Sequence, residues 1–171
     1  MTDAIPERAE RAFEGHDAFE RDGDGYRVTT TRFDGHVTAE ETDDWALAYR
    51  LVVRTPMLSA AVDGDVGDAV ESGWFDTFER RLEDAPSVTR ADVDLDAVTL
   101  AEEADEAVAA FEFEFGNADR APDVAKAFAE YVEGTYVEGV VPGYDYEGVV
   151  ADLMGKAASQ GGDGSRGGTP L

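Results

Sequence analysis

Two carboxylates in the second half of the chain are the first candidates for chemistry. Glu112 and Glu114 lie two residues apart in a stretch of alternating aromatic and acidic residues. On one strand they would project from the same face about 7 Å apart, a separation at which paired carboxylates can act as acid and base. Nothing in the sequence indicates that a cleft closes over them. We therefore expect them on the wet face of a half-buried strand.

A second acidic group partly matches a calcium-binding loop. Its members fall at positions 1, 3, 5 and 12 of such a loop: Asp92, Asp94, Asp96 and Glu103. The sixth position is Ala97, whereas the sharp turn of that loop requires glycine. Val93 and Leu95 alternate with the aspartates as in a strand, so we predict no metal site here.

Histidine and serine occur without the partners that catalysis needs. His16 and His36 have no neighbour at a spacing typical of a metal site or a catalytic triad, and no serine lies in a nucleophile elbow. The chain has no cysteine, which excludes disulfides and thiolate ligands. We predict no catalytic residue, no metal and no cofactor.

Four arginines fall within the first three predicted strands: Arg27, Arg32, Arg50 and Arg54. Together they could form a site for an anion or an acidic peptide. Cross-strand pairing with the protein's own carboxylates is the commoner arrangement, and we expect that instead.

Negative charge dominates the composition of the 171 residues. The chain carries 39 Asp and Glu against 14 Lys and Arg, a formal charge of −25. This self-repulsion opposes a compact state unless salt screens it, and the Debye length falls to about 3 Å at 1 M salt. The composition indicates a halophilic cytoplasm. It also disfavours a nucleic-acid partner, which needs a basic surface.

Apolar residues make up 43% of the chain, which is too many for a disordered protein. No apolar run reaches the ~20 residues that cross a bilayer, and residues 1–15 lack the pattern of a signal peptide. We expect a soluble cytoplasmic protein with no membrane partner. It should fold as one domain over residues 1–158, followed by a disordered Gly-rich tail over 159–171.

Periodicity in the first half predicts a helix and three strands. The helix covers residues 5–13, and strands over 26–33 and 36–40 flank Asp34-Gly35, a dipeptide typical of two-residue hairpins. The third strand ends at Thr55-Pro56. It places five apolar side chains on one face: Trp45, Leu47, Tyr49, Leu51 and Val53.

The second half predicts a helix over about 66–85, two strands and further helices from about Pro122 and Asp145. The first of these strands should bulge near Ala97, where its alternation slips, and the second spans Glu106 to Phe115. We predict an α+β fold in the order helix, three strands, helix, two strands, helix. Its antiparallel five-stranded sheet should pack against the helices.

Two aromatic groups cover more of their helices than one core stripe requires. The first lies at Trp74, Phe75 and Phe78. The second is a doubled YVEG tetrapeptide beginning at Tyr131 and Tyr136, which are five residues and about 140° apart on a helix. These two tyrosines cannot both face one core, so one should be exposed. We predict the five aromatics as a partner-binding surface.

Two blocks of sequence resemble a family of uncharacterised haloarchaeal proteins: GWFDTFE at residues 73–79 and EYVEGTYVEGVVPGYDY at 130–146. The resemblance covers nearly the whole chain except the tail and implies no activity. The order of predicted elements is similar to the fold of the type III secretion chaperones and of the YbjN-like sensory-transduction regulators. That similarity implies a sheet packed on helices, in proteins that often dimerise to hold a polypeptide. It assigns no residue a role.

A non-enzymatic, protein-binding or chaperone-like adaptor is the function that these observations favour, either as a homodimer or with another protein. One alternative is an enzyme of unknown reaction that uses carboxylates and a tyrosine. Another is a small-molecule site between the sheet and the third helix. A deep pocket around Glu112 and Glu114 would favour the enzyme, whereas a flat apolar patch around Trp74 or Tyr136 would favour the adaptor.

Salt dependence tests the halophilic interpretation. The melting temperature, followed by circular dichroism from about 0.2 to about 3 M KCl, should rise strongly because salt screens the repulsion between carboxylates. A melting temperature that does not change with KCl would contradict the interpretation.

Overall fold

The bounds of the helices and strands follow the apolar periodicity of the chain. The computed structural model describes residues 5–167, and side chains as far as residue 158. Within this part the helices are α1 (Glu7–Glu14), α2 (Asp68–Leu82), α3 (Ala121–Glu138) and α4 (Gly148–Gly167). The strands are β1 (Phe19–Asp22), β2 (Gly25–Val28), β3 (Asp34–Glu40), β4 (Leu47–Pro56), β5 (Val62–Asp63), β6 (Leu95–Glu103), β7 (Glu106–Phe115) and β8 (Asp145–Tyr146).

Six strands form one antiparallel sheet in the order β1-β2-β3-β4-β7-β6. Its centre is the pair β4 and β7, which are in register from Leu47 opposite Phe115 to Pro56 opposite Glu106. β5 and β8 form a separate two-stranded sheet. The α+β class and the antiparallel sheet are confirmed. The large sheet has six strands, however, and not the predicted five.

The extra strand belongs to a hairpin that the sequence prediction misplaced. The two-residue turn is Gly23-Asp24, between β1 and β2, and the φ of 60° at Gly23 suits the first position of a type II′ turn. The predicted turn, Asp34-Gly35, begins β3 instead and pairs with Arg54 and Val53. Glycine avoids a tight contact there, because an added Cβ would lie 3.2 Å from Cγ2 of Val28.

Other boundaries match the predictions more closely. β7 spans Glu106–Phe115, and the register of β6 shifts between Leu95 and Ala97, which confirms the bulge. Trp45 is an exception, since it precedes β4 and is 71% exposed. α4 continues through Gly167, past the domain boundary predicted at residue 158. Residues 168–171 of the predicted tail lie outside the described residues.

The inner face of the sheet carries an aromatic core. Phe111 and Phe113 of β7 contact Phe128 of α3, with ring centroids 5.6 and 5.3 Å apart. Phe13 of α1 stacks on Tyr26 of β2 at 5.2 Å. Phe111, Phe113 and Phe128 therefore occupy part of the space between the sheet and α3, where the alternative small-molecule site would lie.

Tyr136 joins several elements beside α3. Its buried ring lies 5.0 Å from that of Phe33 and 5.6 Å from those of Trp74 and Phe78. Its hydroxyl donates a hydrogen bond to the carbonyl oxygen of Pro56 at 2.9 Å. One side chain thus ties α3 to the loop before β3, to α2 and to the end of β4.

Tyr49 is buried in β4 without such a hydrogen bond. Its ring stacks on Phe113 at 5.4 Å, and its hydroxyl has no hydrogen-bond partner among the described residues. Burial raises the pKa of Tyr49 to about 12. The core therefore contains one tyrosine whose hydroxyl is satisfied and one whose hydroxyl is not.

The same substitution at these two tyrosines should change stability in different directions. Tyr136→Phe leaves the Pro56 carbonyl without its donor and should lower the free energy of unfolding by about 1–2 kcal/mol. Tyr49→Phe removes a buried, unpaired hydroxyl and should leave that free energy unchanged or raise it by up to about 1 kcal/mol. Unfolding by denaturant at fixed KCl measures both changes.

Tyr144→Phe is the matched control, because Tyr144 is half-buried and its hydroxyl makes no hydrogen bond within the described residues. It should change the free energy of unfolding by less than about 0.5 kcal/mol. Equal losses from the substitutions at 49 and 136 would show that the two hydroxyls are in similar environments, against the structure.

Alkaline pH should separate wild type from Tyr49→Phe further. Burial raises the pKa of Tyr49 from 10.0 to about 12 in the folded state. Between these two pH values the unfolded chain loses the hydroxyl proton before the folded chain does, so the stability linked to this proton is complete below pH 10 and is lost as pH rises towards 12. The free energy of unfolding of wild type should therefore fall relative to the variant by on the order of 1 kcal/mol per pH unit in that window. Parallel pH profiles would contradict this.

Candidate interaction surface

The five aromatics predicted to bind a partner lie largely inside the protein. Three of them, Trp74, Phe78 and Tyr136, are buried, and Phe75 and Tyr131 are half-buried. Trp74 and Tyr136 therefore do not form the flat apolar patch that would favour the adaptor. The physical reason is that Tyr136 turns inward and packs its ring against those of Trp74 and Phe78. Partner binding by this group stays a prediction, and it would require α2 and α3 to separate.

The doubled YVEG tetrapeptide holds α3 to its neighbours. The Tyr131 hydroxyl donates to the carbonyl oxygen of Arg81 at 2.8 Å. The Glu133 carboxylate accepts hydrogen bonds from the backbone N–H groups of Arg32 and Phe33 at 2.6 and 3.1 Å. Glu138 pairs with the Arg81 guanidinium at 2.8 Å. The repeat therefore supplies tethers at successive turns of the helix.

The opposite face of the sheet, here called the outer face, is open. Arg50, Glu112 and Glu114 project from it and are exposed. Val108 and Ala110 share this face and lie outside the aromatic core cluster, and they are 8% and 5% exposed. This face also carries small apolar residues: Ala48, Val52, Ala97, Ala101, Val108 and Ala110.

The predicted strand arginines are neutralised by carboxylates. Arg50 pairs with Glu112, its cross-strand neighbour, at 2.6 Å. Arg54 reaches Glu106 and Glu103 at 3.2 and 3.5 Å. The other two also form ion pairs: Arg27 with Glu20 at 2.7 Å and Arg32 with Asp152 at 3.2 Å. Arg50, Arg54 and Arg27 therefore pair with carboxylates of neighbouring strands, as expected. This geometry does not favour an anion site.

A half-open groove of about 240 Å³ lies at one end of the outer face, where β3, β4, β7 and β6 run side by side. Thr38 and Ala48 belong to its lining, and Arg50 is its one cationic side chain. Four carboxylates surround that arginine: Glu40, Asp96, Glu112 and Glu114. The groove is open to water, so the pair Glu112 and Glu114 lies on an accessible surface and not in a closed cleft.

The loop between β3 and β4 borders this groove and presents Trp45. Arg8 of α1 donates a hydrogen bond to the Trp45 carbonyl oxygen, and its guanidinium carbon lies 4.3 Å from the centroid of the indole ring. Within the loop, Thr42 Oγ1 donates to the Ala46 carbonyl at 2.6 Å, and the Trp45 N–H donates to Asp44 Oδ1 at 2.6 Å. Sequence reasoning missed this position because Trp45 continues the alternation of β4. The Thr-Asp-Asp run just before it was the available signal for a longer turn.

The two histidines also serve as local connections. The Nδ1 atom of His16 accepts a hydrogen bond from the Ala18 N–H at 3.1 Å, so its Nε2 carries the proton that it shares with Asp123 at 2.8 Å. This contact lowers the pKa of Asp123. His36 Nε2 lies 3.0 Å from the Asp22 carbonyl oxygen. Within residues 5–167 no group of three or more His, Asp or Glu is arranged to hold a metal ion, and no described helix is long and apolar enough to cross a membrane.

Comparison with known proteins identifies a family. No curated protein and no solved structure matches the chain. A family of unknown function, DUF5813, matches residues 14–156. This segment contains the whole six-stranded sheet together with α2 and α3. Because the match covers most of the chain, the protein belongs to the DUF5813 family of unknown function.

Proposed function

We propose that the protein is a non-enzymatic, chaperone-like adaptor that holds another polypeptide on the outer face of its sheet. One observation carries this proposal. The helices whose core contacts are described pack on the inner face, while the outer face carries small apolar residues that are half-buried or exposed, among them Val52 and Ala101. An antiparallel sheet can face water on one side, but that side is then usually polar.

The pattern of the outer face suits an interface. Small side chains in the middle give a flat surface that another backbone or sheet can approach. The Arg50–Glu112 pair lies beside them and is exposed, and the Arg54–Glu106 pair is half-buried. An apolar centre with a polar rim is the usual anatomy of a protein–protein contact. Exposed ion pairs contribute little to stability, so their rearrangement on binding costs little.

The order of elements gives independent support. A helix, strands, a helix, strands and a helix follow one another as in the type III secretion chaperones and the YbjN-like regulators, in which many members dimerise to hold a polypeptide. The formal charge of −25 fits the same role in a halophilic cytoplasm, where salt would screen the surface while the acidic residues keep it soluble.

The enzyme alternative has less support. Acid and base catalysis by carboxylates benefits from a desolvated site, whereas the groove beside Glu112 and Glu114 is open, and Glu112 is paired with Arg50. The most strongly shifted tyrosines, Tyr49 and Tyr136, owe their raised pKa to burial in the core and are remote from solvent. Tyr49 is among the residues that line the groove, but its hydroxyl is buried.

Site-specific photo-crosslinking tests the proposal. A photoreactive benzoylphenylalanine is placed at Thr99, an exposed residue of β6 opposite Ala110 on the outer face, and the protein is expressed in cells at its native salt concentration. The matched control carries the same group at Thr77, an exposed threonine on α2. Irradiation should yield a discrete protein adduct from position 99 and none from position 77, as read by gel shift and mass spectrometry.

Competition and adduct identity sharpen the result. Excess unlabelled wild-type protein should remove the adduct from position 99 if the contact is specific. An adduct between two copies of this chain would identify the partner as a second copy. Identical adducts from both positions, or none from position 99, would contradict binding at the outer face.

A further inference from the structure

We infer that the polypeptide held on the outer face carries arginine, and that Trp45 with the carboxylates of residues 40–44 binds its guanidinium group. This inference rests on the proposed function and adds the chemistry of the partner. It is carried by the exposure of one tryptophan, by the way that side chain is held, and by the unbalanced charge around it.

Trp45 is the most exposed large hydrophobic side chain in the described part of the chain, at 71%. The other tryptophan, Trp74, is buried. Leaving so much indole surface in water forgoes the favourable free energy of burial, and tryptophan is among the residues most enriched at binding hot spots. Its position at the surface is therefore better suited to a contact than to the fold.

The indole is held before any partner arrives. Arg8 covers part of one side, with its guanidinium carbon 4.3 Å from the ring centroid. Gly116 lies beside the ring edge, where an added Cβ would be in ordinary van der Waals contact with Cδ1 of Trp45 at 3.5 Å. A side chain fixed in this way loses little conformational freedom on binding, which favours affinity. The Arg8 contact also shows that this ring accepts a guanidinium, while most of its surface stays accessible.

Four exposed carboxylates precede the tryptophan, the first at the end of β3 and the others in the loop: Glu40, Glu41, Asp43 and Asp44. None of them takes part in the ion pairs of the described residues, unlike Glu112 and Glu106 on the neighbouring strands. A second copy of this chain, with its formal charge of −25, would bring like charges together here. A cationic segment is complementary.

Arginine fits this surface better than lysine does. The planar guanidinium stacks on aromatic rings and forms bidentate contacts with carboxylates, and it is more weakly hydrated than an ammonium group. Contacts of this kind act at short range. They therefore persist in concentrated salt, where the Debye length of about 3 Å at 1 M removes longer-range attraction.

The loop that carries Trp45 joins two strand ends that line the outer-face groove. Glu40 ends β3 and lines the groove, and Ala48 lines it just after the loop returns to β4. Glu114 also lines the groove and is two residues from Gly116, which lies beside the indole. We expect a polypeptide segment in the groove to extend towards the loop that carries Trp45.

Two peptides that differ only in charge test the inference. The first is a short, flexible Gly/Ser peptide with spaced arginines, and the second has citrulline in place of each arginine. Titration of the ¹⁵N-labelled protein with the arginine peptide should shift the indole N–H resonance of Trp45 and leave that of buried Trp74 unchanged. The citrulline peptide should shift neither resonance.

Variants outside the core locate the binding site. Trp45→Leu keeps an apolar side chain without the aromatic ring and should weaken binding of the arginine peptide about fivefold, whereas Trp45→Phe should weaken it less. Glu41→Gln should also weaken binding, and Glu79→Gln, on exposed α2, should not. Because these positions are exposed, the variants are expected to fold, which circular dichroism confirms.

Each outcome bears on one of the two proposals. Equal shifts with both peptides, a shift at Trp74, or no shift at Trp45 would overturn the arginine inference. Equal affinity for a lysine peptide would overturn the preference for a guanidinium. If position 99 crosslinks a partner while Trp45 fails to respond to arginine, the adaptor function stands without this inference. If position 99 gives no adduct but Trp45 binds the arginine peptide, the recognition site stands and the outer-face adaptor fails.

Discussion

The ten-residue ladder between β4 and β7 is the constraint on which the rest of the structure depends. Because side chains alternate along a strand, this register places Tyr49, Leu51, Phe111 and Phe113 on one face together. Helices must cover that face to remove it from water. The same register puts arginine and glutamate opposite each other on the other face, where no such cover is needed.

A few polar contacts at the edge of the aromatic core also hold the helices in place. Tyr136 illustrates how this works: its ring is shared among the loop before β3, α2 and α3, and its hydroxyl satisfies the Pro56 carbonyl. The glutamates of the doubled tetrapeptide act similarly at the surface of α3. The contacts of this sequence repeat follow from packing, since successive turns of one helix meet different neighbours.

The charged residues of the outer face differ in whether they form ion pairs. On the outer face, cross-strand pairs neutralise the arginines, and the acidic residues left over lie around the groove and in the loop that ends at Trp45. In an acidic protein, an excess of carboxylates says little by itself. Its conjunction with a fixed, exposed tryptophan is what gives this end of the sheet a distinct chemistry, and sequence periodicity concealed it by assigning Trp45 to the strand.

Local pattern alone determined the α+β class, β7 from end to end, the bulge in β6 and the apolar faces of the helices, because each depends on residues close together in the chain. Local pattern did not reveal the short polar strand β1 or the hairpin turn at Gly23-Asp24, since four residues show too little alternation. Only the tertiary structure decided that the Tyr136 side chain is buried, that the Trp45 side chain is exposed to water, and that one face of the sheet stays open. Those outcomes depend on which distant elements compete for the same surface, and periodicity carries no information about that competition.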